Sequence, residues 1–305
     1  MSIVVAVYNG EKYLGDQLRS LQDQDHPALE IVIVDDASQD NSLEVARRSA
    51  ARDPRLRVHE NRENLGIAAN FLKGLSLTQG PYVCFCDQDD VWRSDKVSLL
   101  KQLLEKDPRN LAAYSDLEIC DEALRSTHTS FWKAAGIRPR GGHLGEKALL
   151  RNLAPGCSMM FRGRVRDLLK NAPQNPPFVH DHLVFAISAV LGRLVYTRES
   201  LVKYRQHGRN NIGAFYPSVM DRGSFVADLQ KKVEASMKIF GGEPPELKKI
   251  LDFCRSWKEE PLRSRAAYLD YYLFMRNDDW TDKLLGVAEC LMPRAYHWLR
   301  NRART

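Results

Sequence analysis

Through its first 106 residues this chain alternates short β-rich apolar runs with stretches of helical periodicity. That alternation restricts the fold more than any other feature. Strands are expected over 3–7, 30–34, 56–60 and 81–86. Helices are expected over 11–24, where Leu14, Leu18 and Leu21 share a face, and over 67–77. Another helix runs through Leu43 and Ala46, with Ser38 or Asp40 as its cap. Strands separated by helices pair in parallel, because each helical crossover returns the chain to the same edge. The expected fold class is therefore α/β, a mainly parallel central sheet flanked by helices. Such sheets bind ligands beyond the carboxyl ends of their strands.

Three of these strands end in polar residues. Tyr8-Asn9-Gly10 follows the first, and Asp35-Asp36-Ala37-Ser38 follows the second. Asp87-Gln88-Asp89-Asp90-Val91-Trp92 follows the fourth. An isolated Asp-x-Asp is often only an acidic turn facing solvent. Here three polar strand ends converge on one sheet edge, and the pair Asp87 and Asp89 suits a hard cation shared with a diphosphate.

Beyond residue 110 the pattern is less regular. Residues 111–119 read as a strand, and Pro155-Gly156-Cys157-Ser158 as a turn into an apolar run. The loop 173–177 delivers Val179-His180-Asp181-His182 to an apolar helix over 183–191, which Gly192 stops. Strand-like stretches over 194–204 lead into Arg205-Gln206-His207-Gly208-Arg209. From about residue 214 helix formers and basic residues dominate, which suggests domains over 1–213 and 214–305.

The net charge of +6 permits contact with phosphates or an anionic surface without calling for nucleic acid. The six cysteines have no C-x2-C spacing, so a zinc site or a disulfide framework is not expected. No secretory signal is read at the start, and the apolar stretch 183–196 is short and broken by Arg193. A cytoplasmic setting is the expectation.

Taken in order, Val5-Ala6-Val7-Tyr8-Asn9-Gly10, Ile33-Val34-Asp35-Asp36-Ala37-Ser38, Asn64-Leu65-Gly66, Asp87-Gln88-Asp89-Asp90, His180-Asp181 and Tyr204-Arg205-Gln206-His207 resemble a known family. The chain resembles family 2 glycosyltransferases of the GT-A fold over roughly residues 2–213. The acid motif with the Arg205–Asn211 stretch is most similar to bacterial enzymes of surface polysaccharide synthesis, rhamnosyltransferases among them. One departure is Ala68-Ala69-Asn70, where many relatives place an arginine before the asparagine.

The resemblance implies an inverting transferase that uses Mg2+ or Mn2+ and a nucleotide-diphospho-sugar, with dTDP- or UDP-sugars expected. It implies that Val7, Tyr8, Asn9, Asp35, Asp36, Asn64, Gly66, Asn70, Asp87, Gln88, Arg205 and Arg209 line the donor. Asp35 or Asp36 would accept from the base or ribose, a job that competes with capping the next helix. Asp89 and His207, with Asp87 as a further candidate, would ligate the metal. Arg205 and Arg209 would pair with the diphosphate. Asp181 would be the general base, and helix capping is its alternative role. Trp92, Gly156, Cys157 and His180 would lie on the acceptor side, although Trp92 also suits packing under the loop.

Two other classes compete. A sugar nucleotidyltransferase wants a glycine-rich basic first turn, and Tyr8-Asn9-Gly10-Glu11 is poor for that. A non-catalytic nucleotide-sugar-binding module would be favoured by the loss of Asp89 or Asp181, and both are present. The acceptor is expected to be a saccharide or a lipid-linked saccharide. Over 285–304, Trp298, Tyr296 and Leu299 mix with Arg294, Arg300 and Arg302 in a pattern suited to peripheral contact with the inner face of a membrane.

Overall fold

The computed structural model describes residues 1–149, 151–169, 179–208, 222–243 and 245–256. The chain opens as β1 (Ser2–Val7), α1 (Glu11–Gln22), β2 (Glu30–Asp35), α2 (Ser42–Ala50), β3 (Leu56–Glu60), α3 (Ile67–Ser76) and β4 (Tyr82–Cys86). It continues as β5 (Val91–Trp92), α4 (Lys96–Glu105), β6 (Asn110–Cys120), β7 (Ser126–His128), α5 (Phe131–Ala134), β8 (Met159–Arg162) and α6 (Gly163–Leu169). Then come α7 (His180–Leu191), β9 (Arg193–Arg205), α8 (Arg222–Phe240) and α9 (Pro245–Ser256). Eight strands form one sheet in the order β3-β2-β1-β4-β8-β6-β9-β5, and β7 pairs with β6 off that path.

The alternating region forms the parallel half. β1 pairs in parallel with β2 and with β4, and β2 with β3. Strands β1, β2 and β4 are buried at successive positions, as expected where helices cover both faces. β8 runs antiparallel to both β4 and β6, which leaves β6 and β9 aligned with the first four strands. Reversing one strand has a consequence for the site. β8 starts where its neighbours end, so the 3₁₀ turn before it, Gly156–Ser158, stands at the carboxyl rim.

The expected helix over 11–24 ends at Gln22, and the strand-like stretches over 194–204 form one long β9 whose register shifts against β6. The shifts let that long strand keep pairing while its twist changes. At its end Cys120 lies opposite Arg205, so the 205–208 segment reaches the same rim. Helices α8 and α9 bury Leu229, Val233, Ile239, Leu247 and Ile250, and α8 packs on α6. The loop 173–177, Arg209 and the 285–304 tail lie outside the described residues.

Candidate active site

Register sets the rim. Val7 faces Asp35 across the β1–β2 pair, and Val5 faces Cys86 across β1–β4. The polar segments after all three strands therefore project from one edge. Gln88 joins two of them: its side chain accepts from the Tyr8 N–H at 2.9 Å and donates to the Tyr8 carbonyl at 3.1 Å. Asn9 sits in the left-handed region, with φ of 50°. Its N–H donates to Ser38 Oγ at 3.0 Å, and its Oδ1 accepts from the Gln39 N–H at 2.8 Å. Tyr8 is left 45% exposed at this edge, a large ring open to a ligand.

The two acids after β2 differ. Asp36 is buried and filled by the protein. It accepts from Asn61 Nδ2 at 2.6 Å, the Leu65 N–H at 2.9 Å and the Gly66 N–H at 3.0 Å. It thus shapes the 64–66 turn, where Gly66 adopts a φ of 83° that other residues resist. Asn64 and Asn70 serve the same frame. Asn64 Nδ2 donates to the Asp36 carbonyl at 3.3 Å, and Asn70 Nδ2 to the Val34 carbonyl at 3.0 Å. Asp35 Oδ2 accepts from the Ser38 N–H at 3.0 Å, but its Oδ1 is buried with no partner. A buried acceptor left empty at a ligand rim is suited to a donor on the ligand.

The acids after β4 crowd together. Ligand atoms of Asp87, Asp90 and Cys157 all lie within 4.8 Å of one another. Burial raises the Asp87 carboxyl to about 7, and the charges of Asp89 and Asp181 push the same way. Asp90 is fully buried and raised well above the usual carboxylate range, first by burial and then by its acidic neighbours. Its Oδ1 accepts from the Arg205 N–H at 3.1 Å, while Oδ2 lacks a hydrogen bond. His207 Nε2 lies 2.8 Å from Asp89 Oδ2, and the imidazole stacks on Tyr13. Carboxylates short of donors beside an imidazole fit an oxygen-preferring divalent cation. Asp87, Asp90 and Cys157 are the ligand-type groups the structure gathers there, and the expected Asp89 and His207 are paired with each other.

Asp181 stands across the 156–158 turn from these acids. Its Oδ2 accepts from the Gly156 N–H at 3.1 Å and its Oδ1 from the His182 N–H at 2.6 Å. Burial raises its carboxyl to about 6, against the opposing pull of those N–H groups. That value suits a general base near neutral pH. A Cβ on residue 156 would meet Asp181 Cβ and His180 Nε2 at 3.2 Å, so the turn approaches Asp181 as closely as a glycine permits.

Several expected roles meet a different arrangement. Arg205 is buried and directed into the protein. Its Nε donates to the Asp89 carbonyl at 2.7 Å and its Nη1 to the Glu122 carbonyl at 2.6 Å, so it braces the acid loop instead of facing a diphosphate. His180 is buried between aromatic rings, stacked on Phe71 at 3.9 Å, and burial lowers it to about 3. It is a neutral core ring, not an acceptor contact. Cys157 is buried beneath the acids, and Trp92 packs under the loop. Gly156 faces Asp181. Sequence reasoning also missed Asn61, Tyr13 and the fully buried Lys96. No local pattern marks them, since the Asp36, His207 and Cys157 groups they meet come from distant segments.

Comparison with known proteins gives the family and the fold. Residues 2–172 match the model of glycosyl transferase family 2. An uncharacterized glycosyltransferase of Haemophilus influenzae is 28% identical over 221 residues, covering 70% of this chain and 68% of its own length. TuaG of Bacillus subtilis, a glycosyltransferase assigned to teichuronic acid biosynthesis, is 39% identical over 103 residues, 34% of this chain and 40% of TuaG. Among solved structures, S. aureus TarS 1-349 in complex with UDP-GlcNAc has a TM-score of 0.57 at 19% identity, over 90% of this chain and 81% of that one. The Pyrobaculum calidifontis mannosyltransferase PcManGT with GDP-Man and Mn2+ has a TM-score of 0.54 at 18% identity, over 99% and 79%. These two structures share the fold. The match over residues 2–172 settles the family: the chain belongs to glycosyl transferase family 2.

Proposed function

We propose that this protein is an inverting, metal-dependent glycosyltransferase that moves a sugar from a nucleotide-diphospho donor to a saccharide or lipid-linked saccharide during surface polysaccharide synthesis. The observation that carries this reading is the meeting at one rim of an under-bonded acid cluster, the empty Asp35 Oδ1 and a raised Asp181. The binding of UDP-GlcNAc by TarS and of GDP-Man with Mn2+ by PcManGT supports a nucleotide-sugar donor. The assignment of TuaG to teichuronic acid synthesis supports the pathway class.

In this reading Tyr8 and Asp35 receive the nucleoside, the ring by contact and Oδ1 by accepting a hydrogen bond. A divalent cation, when bound at Asp87, Asp89 and His207, neutralises the diphosphate and stabilises it as a leaving group. Asp181 takes the proton of the acceptor hydroxyl as that oxygen bonds to the anomeric carbon. The diphosphate departs from the opposite face, so the configuration inverts. In this reading the catalytic unit spans 1–213 and a C-terminal extension spans 214–305, with α8 and α9 as its described helices. Among the described residues no helix is long and apolar enough to cross a membrane. The mix of basic and aromatic residues over 285–304 supports a peripheral contact with the cytoplasmic face of a membrane.

A donor panel of UDP-, dTDP- and GDP-sugars, rhamnosyl donors included, tests the reading. Nucleoside diphosphate should be released only with acceptor and divalent cation present, and NMR should show an inverted anomeric product. Release of pyrophosphate from a sugar phosphate and a nucleoside triphosphate would point to a nucleotidyltransferase instead.

A further inference from the structure

Lys96, the first residue of α4, is fully buried. Its ammonium donates to the Cys157 carbonyl at 2.6 Å and lies 2.9 Å from the centre of the Trp92 ring. Among the described residues no carboxylate stands at ion-pair distance from it, although the charges of Asp87 and Asp90 act on it through space. The placement is costly in two ways. Burying an ammonium loses hydration that one carbonyl, a ring face and acids beyond ion-pair reach restore only in part. A cation in the first turn of a helix also faces the positive end of the helix dipole. A methionine of similar length would fill the space without either cost. Packing alone does not account for a lysine here.

Its neighbours do. Lys96 and Trp92 both leave the acid loop that carries Asp87, Asp89 and Asp90. Cys157 belongs to the turn that carries the other half of the site: its thiol lies within 4.8 Å of the Asp87 and Asp90 ligand atoms, and the adjoining Gly156 N–H holds Asp181 Oδ2 at 3.1 Å. The 156–157 turn is therefore a joint, gripped on one side by Lys96 and on the other by Asp181. We propose that Lys96 is a positioning residue for transfer, whose hydrogen bond to the Cys157 carbonyl fixes the separation of Asp181 from the Asp87–Asp90 acids. This inference rests on the proposed roles of those acids and of Asp181. The effect sought is geometric, and a base displaced by about 1 Å can lose on the order of 10²-fold in rate.

Lys96→Met and Lys96→Gln test it, read by kcat, donor affinity from calorimetry, Mn2+ affinity from electron paramagnetic resonance, and Tm. Lys96→Met should lose on the order of 10²-fold in kcat, with Tm equal or higher. Its donor affinity should stay within about threefold of wild type, and its Mn2+ affinity should hold or rise, because the ligands remain and a positive charge that acts on Asp87 is gone. Lys96→Gln still offers an N–H to the carbonyl and should recover part of the lost kcat. Wild-type kcat in Lys96→Met would overturn the proposal. So would a Gln variant no faster than Met, or a collapse of Tm in both, which would make Lys96 a purely structural residue. Asp181→Asn, run in parallel, separates the two levels of the argument. If it turns over at the wild-type rate, the assigned base falls and Lys96 with it. If it is inactive beside a fully active Lys96→Met, only the Lys96 proposal falls.

Discussion

Asp36 and the acids that follow β4 stand at the same sheet rim, and they are built for opposite ends. The carboxylate of Asp36, after β2, is closed off by three donors from Asn61, Leu65 and Gly66. After β4, Asp87 and Asp90 lie against each other and a thiol, with Asp90 Oδ2 unbonded and Asp87 raised to about 7 by burial and by Asp89 and Asp181. Similar residues at equivalent strand ends thus do different work. An acid satisfied by backbone N–H groups holds a loop in shape. An acid starved of donors retains its capacity to bind a cation or a proton.

The contrast breaks if substitution on the open side acts through stability, or on the closed side through chemistry. The largest effect expected is at Asp89. Asp89→Asn should reduce turnover about 10⁴-fold by removing a proposed ligand of the cation, with little change in Tm, because the residue stands at the rim. Steady-state kinetics and Mn2+ titration check this, and activity that survives excess chelator in the wild type would defeat it. Next comes Asp181→Asn, expected to cost about 10³-fold in kcat while donor affinity stays near wild type. A large loss of donor affinity at normal turnover would move Asp181 into the donor site.

On the closed side the expected loss is in folding. Asp36→Asn turns an acceptor toward N–H groups that need one and adds a donor beside them. It should destabilise the protein by about 2 kcal/mol, within the range for hydrogen bonds to a charged group, as read by urea denaturation. An unchanged urea midpoint would show that Asp36 is not the structural acid.

The smallest effect is a pH dependence. Asp87 and Asp181 are raised to about 7 and about 6 from a usual value of 3.8. Between about pH 4 and 7 the metal-free folded state keeps protons that the unfolded chain has released. Their contribution to stability is complete below pH 4 and disappears as pH rises through the folded-state values. The urea midpoint of metal-free protein should fall over that window, and less steeply in Asp181→Asn. In parallel, kcat/KM should rise through about pH 6 as Asp181 loses its proton. A flat profile across that range would argue against Asp181 as the base.

Local signals carried the first half of the fold. Runs such as 30–34 bounded by polar turns specify strands, and their alternation with helices specifies parallel pairing, so the rim and its acids followed from spacing. Side-chain assignments were less legible. Arg205 was expected at the diphosphate because a guanidinium pairs with phosphate oxygens, yet β9 carries it inward against the Asp89 and Glu122 carbonyls. His180 looked polar beside Asp181, yet α7 turns it onto Phe71. Which way a residue at an element end faces depends on the element packed against it, and that partner is distant in sequence.

The amino-acid sequence by itself determined the strand–helix order, the carboxyl rim and the acids placed there, because these depend on short-range periodicity and turn chemistry. Only the tertiary structure decided which acids are filled and which are left open. It brought Asn61 and the 64–66 turn to Asp36, reversed β8 so that the 156–158 turn met Asp181, and buried Lys96 beneath the acid loop. Donor supply and burial at each carboxylate arise from contacts between segments many residues apart, and no local pattern encodes them.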